Sequence, residues 1–220
     1  MMNVLNMEDI YVKAVYDKIA DDFSITRVSI WRGVKKFLDE ITSLSVVADL
    51  GCGNGKNIQR KDLFWYGLDQ CEKFIKICEN KFKDWNNPPI LKKGSIIDIP
   101  FSNESVDCVI CIATFHHLSS NENRHKCLNE IHRIMKYGGK GLITVWAYEY
   151  DNDFQWDKEV KKQGGQDILI PWKGINKQLM EKRYYHFFKK DEITQLIMEY
   201  FSIDEIWFET NNWFIKFSKK

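Results

Sequence analysis

Two short stretches constrain this chain more than any others. SVVADL (45–50) and SVDCVICIA (105–113) are apolar at nearly every position and offer no polar face to water. Strands of that kind are covered on both sides, as in the middle of a parallel sheet. Parallel neighbours need long crossovers, so helices must stand between them. EKFIKICENKF (72–82) has apolar residues at helical spacing, and NENRHKCLNEIHRIMKYGGKG repeats the pattern with Leu128, Ile131 and Met135 before closing on glycines. LFWYGLD (63–69), a short strand within PPILKKGS, and GLITVWA (141–147) complete the alternation.

The flanks are of different character. Residues 8–23 carry Val12, Val15, Tyr16, Ile19 and Phe23 on one helical stripe, and IWRGVKKFLDEITS does the same with Ile30, Val34, Phe37, Leu38 and Ile41. After residue 147 a polar stretch, 148–182, reads as irregular. It is followed by KRYYHFF, a helix DEITQLIMEYF, and strands in IDEIWFE and NWFIKFS. The expectation is one α/β domain. Its sheet is mostly parallel, doubly wound and seven-stranded, and ends in an antiparallel C-terminal pair.

Composition narrows the class. The 220 residues are 44% hydrophobic and 29% charged with a net charge of +1, which suits a globular domain and gives no global field toward nucleic acid or membrane. No apolar run approaches the ~18 residues of a membrane-spanning helix, and the N-terminus lacks the pattern of a secretion signal. Cys108 and Cys111 have metal-ligand spacing, but three residues apart on a strand they point to opposite faces. Cys52, Cys71, Cys78 and Cys127 show no such pattern, so the six cysteines read as reduced core thiols. No metal is expected in this chain, and its expected location is cytoplasmic or nuclear.

In doubly wound sheets, ligands bind beyond the C-terminal strand ends where strand order reverses. DLGCGNGK (49–56) falls there. Gly51, Gly53 and Gly55 permit sharp turning and close approach of a ligand to the backbone. Their spacing is not the one that cradles a pyrophosphate. Asp49 offers an anion for an ammonium group, and Asp69, about 20 residues on, can accept both hydroxyls of a ribose. Ribose, ammonium and no bulky phosphate together describe S-adenosylmethionine.

VADLGCGNGK, YGLDQC, GSIIDIPF and KYGGKGLITVW resemble the successive motifs of the Rossmann-like class I methyltransferases, over residues 45–147. That resemblance adds Cys52, Gln70 and Ala113 to the cofactor-binding set. One departure concerns the adenine, for which the family commonly uses an aspartate where Ser95 stands here. Either Ser95 with the backbone of Ile96 takes that role, or Asp98 substitutes. The implied division is a helical cap (1–44), a cofactor-binding core (45–147), a substrate-side insertion (148–190) and a C-terminal helix with two strands (191–220).

From residue 11 to the C-terminus, the series FSITR, GCGNGKN, HHL, VWA, QDILIPW, RYYH and NW is similar to eukaryotic tRNA methyltransferases. Those enzymes esterify the 5-carboxymethyl group of a wobble uridine. The nucleophile is then a carboxylate, ionised at neutral pH with a pKa of ~4, so no strong general base is required. The enzyme must strip its water and hold one oxygen in line with the sulfonium methyl, a task for arginine forks and aromatic faces. Candidates for this clamp are Arg27, Arg183, Tyr184, Tyr185 and His186, with His117 beside the reacting methyl. On an extended RYYH, Arg183 and Tyr185 face one way and Tyr184 and His186 the other. Trp31, Trp172 and Trp213 read as packing residues, and Trp146 as core or pocket floor.

The resemblance implies tRNA as substrate. Residues 154–190 hold an excess of lysine and arginine over acids that suits its phosphates. It also implies a small zinc-binding activator protein, adding a strand to the sheet edge near PILKK (89–93). Two rival expectations are a small-molecule methyltransferase and a non-catalytic cofactor-binding scaffold.

Overall fold

The computed structural model describes residues 7–149, 163–174 and 179–220. Strands β1 (Val46–Leu50), β2 (Phe64–Asp69), β3 (Ile90–Lys93), β4 (Val106–Ile112), β5 (Met135–Trp146), β8 (Ser202–Glu209) and β9 (Asn212–Ser218) make one sheet among the described residues, in the order β3-β2-β1-β4-β5-β9-β8. The first five are parallel, and β9 pairs antiparallel with both β5 and β8. The order reverses between β1 and β4, so their C-terminal ends frame the natural crevice.

Helices cover both faces. One layer packs α2 (Arg32–Asp39) and α3 (Glu72–Phe82) over Val47, Cys108, Ile110 and Phe214. The other packs α4 (Asn121–Ile134) and α5 (Lys190–Met198) over Val109, Cys111, Ile143 and Ile215. Cys108 and Cys111 thus belong to opposite layers, as the period of a strand dictates. All six cysteines are free and buried.

The N-terminal helix begins with a π-turn, Asp9–Lys13, and continues as α1 (Ala14–Thr26). Its stripe of Val15, Ile19 and Ala20 is buried against Trp172, Cys71 and Phe74, so α1 lies over the C-terminal edge of the sheet.

Two elements differ from expectation. Helix α4 ends at Ile134, before the glycines, because its last carbonyls are taken by a neighbouring turn. The amides of Glu104 and Ser105 donate to Arg133 and Ile134, removing the need for a glycine cap. Met135 is therefore already extended, and Gly138 (φ +75°) bends the strand that follows. The second difference is the stretch 148–182, of which Asp167–Lys173 is a strand, β6. It forms an antiparallel hairpin with β7 (Leu179–His186). β6 contains Pro171, which is tolerated because among the described residues the strand is paired on one side only.

Candidate functional site

Beyond β1 and β4 lies a cleft of about 1000 Å³, open mouth included. Its floor is the turn after β1. Gly51 stands at φ +78°, and a Cβ there would meet Thr114 Oγ1 at 2.2 Å, so both the conformation and the space demand glycine. Gly53 stands at φ +52° with open space where its side chain would be. Across the cleft, Ala113 holds a left-handed backbone at φ +54°, pinned by its amide donating to Thr144 Oγ1 at 2.8 Å.

The two acids differ. Asp69 accepts the Gly53 amide (2.8 Å) and the Cys71 amide (2.9 Å), fixing the loop to the end of β2. Burial still pushes it up to about 6. Asp49 lies fully buried under the turn, and neither carboxylate oxygen has a hydrogen-bond partner. Burial, helped by the charge of Asp69, pushes it up to about 7, against the pull of nearby Asn57, Lys56 and Lys81. An orphaned buried carboxylate beneath a glycine turn suits a ligand that brings its own positive charge. The residues fit the amino-acid and ribose portions of S-adenosylmethionine.

Gly51, Cys52, Gly53, Asp69, Gln70, Ser95, Ile96 and Ala113 border the cleft, as do Arg27 and His117. Three expected cofactor residues do not. Asp49 acts from underneath. Gly55 turns away, where a Cβ would strike the Phe82 ring at 2.7 Å, so it serves packing. Asp98 is exposed, because its amide closes a turn on the Ser95 carbonyl (3.2 Å) that sends the side chain to solvent. Sequence reading missed Asn54, Lys56, Asn57, Phe74 and Thr114, which complete the lining. It also took Tyr16 for an ordinary stripe residue, when its ring lines the cleft.

None of Arg183, Tyr184, Tyr185 and His186 borders the cleft itself, because Tyr16 and His117 stand in front of them. The four separate into two pairs. Arg183 lies against Tyr185 and Trp172, its guanidinium carbon 5.1 Å from each ring centroid. Its Nη1 donates to the Tyr16 hydroxyl at 3.4 Å. Among the described residues it has no acidic partner, and its Nε is buried and unsatisfied. Arg27 lies over the other side of this cluster, 5.6 Å from the Trp172 centroid and 5.4 Å from that of Phe23. Trp172 is thus a buried ring shared by two guanidinium groups.

Tyr184 and His186 turn the other way, to Asp167. Its Oδ1 accepts the Tyr184 hydroxyl (2.5 Å) and His186 Nδ1 (2.8 Å), while His186 Nε2 donates to Glu192 Oε1 (2.9 Å). Burial pulls His186 down, but the two carboxylates outweigh it and hold it above the ordinary histidine range. This pair ties the hairpin to α5 rather than meeting the cleft.

His117 links the halves of the site. Its Nδ1 donates to the Tyr184 carbonyl at 2.7 Å, which leaves Nε2 to accept the Tyr16 hydroxyl at 3.1 Å. Burial pulls it down to about 3, so the ring is neutral. His116 is fully buried beside it, its Nδ1 accepting the Trp146 amide at 3.2 Å. Trp146 stacks on Phe187, Trp31 packs on Phe214, and Trp213 meets Phe208, which are packing roles. Of the basic excess in 154–190, Lys158, Lys161, Lys162 and Lys177 lie outside the described residues.

Residues 48–143 match the family described as a methyltransferase domain. A tRNA (carboxymethyluridine(34)-5-O)-methyltransferase of Schizosaccharomyces pombe is 33% identical over 96% of this chain and 97% of its own length. One of the same description from Arabidopsis thaliana is 40% identical over 66% of this chain but only 35% of its own length. A solved structure, the complex between the Haloferax volcanii Trm112 methyltransferase activator and a methyltransferase, contains a chain of like fold. That chain has a TM-score of 0.65 and 16% identity, covering 95% of this chain and 98% of its own.

Proposed function

This chain belongs to the tRNA (carboxymethyluridine(34)-5-O)-methyltransferase family, and on that footing we propose that it methylates the carboxylate of 5-carboxymethyluridine at the wobble position of tRNA. S-adenosylmethionine is the cofactor, and when bound it supplies an electrophilic methyl group on a sulfonium. A carboxylate oxygen would take that methyl, its new bond to carbon replacing the carbon–sulfur bond, to leave the methyl ester and S-adenosylhomocysteine. Asp49, Asp69 and the turn from Gly51 to Gly53 hold the amino-acid and ribose portions, and Ser95 and Ile96 receive the adenine.

The observation that carries the substrate is Arg183. An arginine 8% exposed, with no acidic partner among the described residues and an unsatisfied Nε, is expensive to bury unless an anion joins it. A planar carboxylate matches its fork. Tyr16 stands between Arg183 and the cleft, its hydroxyl accepting from Arg183 and donating to His117, so it would fix the direction in which the guanidinium meets an incoming carboxylate. His117 serves as an acceptor that orients Tyr16, since a ring held neutral down to about pH 3 is not poised as a general acid. The nucleophile is already ionised, so none is needed.

An activator partner fits the exposed edge at β3. Ile90 is 52% exposed there, beside a hollow formed by Phe82, Pro88, Pro89 and Leu91. A small zinc-binding activator adding a strand would cover both. The buried reduced thiols agree with a cytoplasmic or nuclear setting.

The test is transfer of labelled methyl to tRNA carrying the carboxymethyl wobble uridine, with and without the activator. The expected product is the methyl ester at that nucleoside. Transfer only to small carboxylic acids, or none in either mixture, would overturn the reading.

A further inference from the structure

Several lysines of the neighbouring helices and of β3 are neutralised. Lys35 pairs with Asp39 (2.7 Å), Lys73 with Asp21 (3.6 Å) and Lys93 with Glu72 (3.3 Å). The rim formed by the link between α1 and α2 is different. Arg27, Arg32 and Lys56 have no acidic partner within ion-pair distance among the described residues. Lys56 lies 5.0 Å over the ring of Trp31, the residue preceding Arg32. Burial holds its amine below the ordinary lysine range, and the charge of Arg27 adds to that against the pull of Asp49. Arg27 and Lys56 are therefore neighbours that repel each other, and Arg32 stands exposed beside Trp31, on which Lys56 lies.

The same link exposes apolar side chains. Ile25 is 65% and Val28 71% exposed, on either side of Arg27 at the cleft mouth. Asn54 holds this link to the cofactor turn, its amide donating to the carbonyls of Ser24 (3.1 Å) and Arg27 (3.0 Å). The first amides of α2 do not supply an anion site, because Glu209 already accepts from Gly33 (3.1 Å). Arg32 is exposed and is not part of the cleft lining.

We propose that residues 25–32 and Lys56 form a rim that binds the RNA strand flanking the target nucleotide, its cations taking phosphates and Ile25 and Val28 meeting a base or sugar. Repelling cations without counter-charges, beside exposed apolar groups, complement a single-stranded polyanion whose unstacked bases have free faces. This inference rests on the tRNA reading above and adds a phosphate-binding surface at the N-terminal link to the one expected from the stretch 154–190.

The experiment measures equilibrium binding of a tRNA transcript by the full chain across a range of salt. It compares wild type with Arg32→Ala, Arg32→Lys and Val28→Glu, with cofactor affinity as the control. Removing one phosphate-binding cation should flatten the slope of log K against log salt by about one and weaken binding roughly five- to tenfold at 0.1 M salt. Arg32→Ala should do this, Arg32→Lys should restore the slope, and Val28→Glu should weaken binding at an exposed position with little effect on folding. Cofactor affinity should hold in all three. An Arg32→Ala variant that binds tRNA with the wild-type slope would overturn the rim while leaving the tRNA reading intact. If wild type itself shows no salt-dependent tRNA binding, both fall together.

Discussion

The hydroxyl of Tyr16 and Nε2 of His117 lie 3.1 Å apart, and this hydrogen bond joins the N-terminal helix to the turn after β4. His117 can only accept there, because its Nδ1–H is committed to the Tyr184 carbonyl. Tyr16 must therefore donate to His117, and its oxygen lone pairs are free to receive Arg183. The order of donors runs in one direction, from the buried Arg183 through Tyr16 and His117 at the cleft and back to the Tyr184 carbonyl on the same strand.

Removing that hydroxyl should uncouple the cation from the substrate. Tyr16→Phe keeps the ring packing on Phe23 and Phe74 but takes a partner from the buried His117 and Arg183, so stability should fall by about 1–3 kcal/mol. Methyl transfer should drop at least tenfold, about 1.4 kcal/mol of barrier, while cofactor affinity stays within about twofold. Calorimetric cofactor titration beside single-turnover transfer checks this. A parallel loss of cofactor binding would mean that Tyr16 serves the cofactor instead.

Arg183 offers a sharper contrast. A buried cation without a counter-ion costs stability, so Arg183→Met, which keeps the length and the packing on Trp172 and Tyr185, should leave the thermal midpoint unchanged or raised. Transfer should fall at least a hundredfold, about 2.7 kcal/mol. Thermal unfolding and transfer assays on one preparation test the pair of outcomes. A lowered midpoint with retained transfer would assign Arg183 to structure.

How far the sequence carried this can be seen residue by residue. The sheet was legible because Val47, Val109 and Ile110 belong to runs buried on both faces, which few other arrangements permit. The division of RYYH into two pairs followed from the period of two. What the sequence could not convey was which pair lay toward the cleft side, because that depends on where β6 pairs, and the polar character of 148–182 concealed β6. Tyr16 was hidden for another reason. On an apolar stripe a tyrosine looks like packing until its hydroxyl is seen against His117. Asp98 misled because its chemistry was right, while a turn closed through its amide pointed it to solvent.

The His186 latch should show itself in stability against pH. Its folded pKa lies above its unfolded one, so its contribution is fully present below the ordinary histidine range and is lost as pH rises through the raised value. His186→Gln should flatten that part of the curve and loosen the hairpin from α5. Chemical denaturation of wild type and variant from pH 5 to pH 9 would show it, and parallel curves would remove the latch.

The tightest turn can be tested by adding one carbon. At Gly51 a Cβ would sit 2.2 Å from Thr114 Oγ1 and 2.4 Å from its Cγ2, on a backbone at φ +78°. Gly51→Ala should therefore destabilise by about 2 kcal/mol or more, from strain and displacement together. Cofactor binding should weaken with it. Adding Thr114→Ala removes the two closest contacts but leaves the Cβ of residue 114 at 2.7 Å and the positive φ, so it should restore part of the stability. Full restoration would mean that space alone, and not conformation, selects glycine.

Cofactor affinity should also depend on pH through Asp49. Burial raises this carboxyl to about 7 in the free protein, so near neutrality it is partly protonated. A ligand with a positive charge binds the ionised form and must expel that proton when pH is lower. Affinity should therefore be greatest above pH 7 and fall as pH drops through 7 toward 6, approaching tenfold per unit. Asp69, raised to about 6, steepens the fall below that point. Asp49→Asn keeps the shape, removes the titration and should weaken binding at pH 8 far more than at pH 5.5, so that the two profiles converge in acid. Cofactor titrations from pH 5.5 to pH 8.5 decide it. A wild-type profile flat across this range would show that Asp49 does not meet the cofactor's charge.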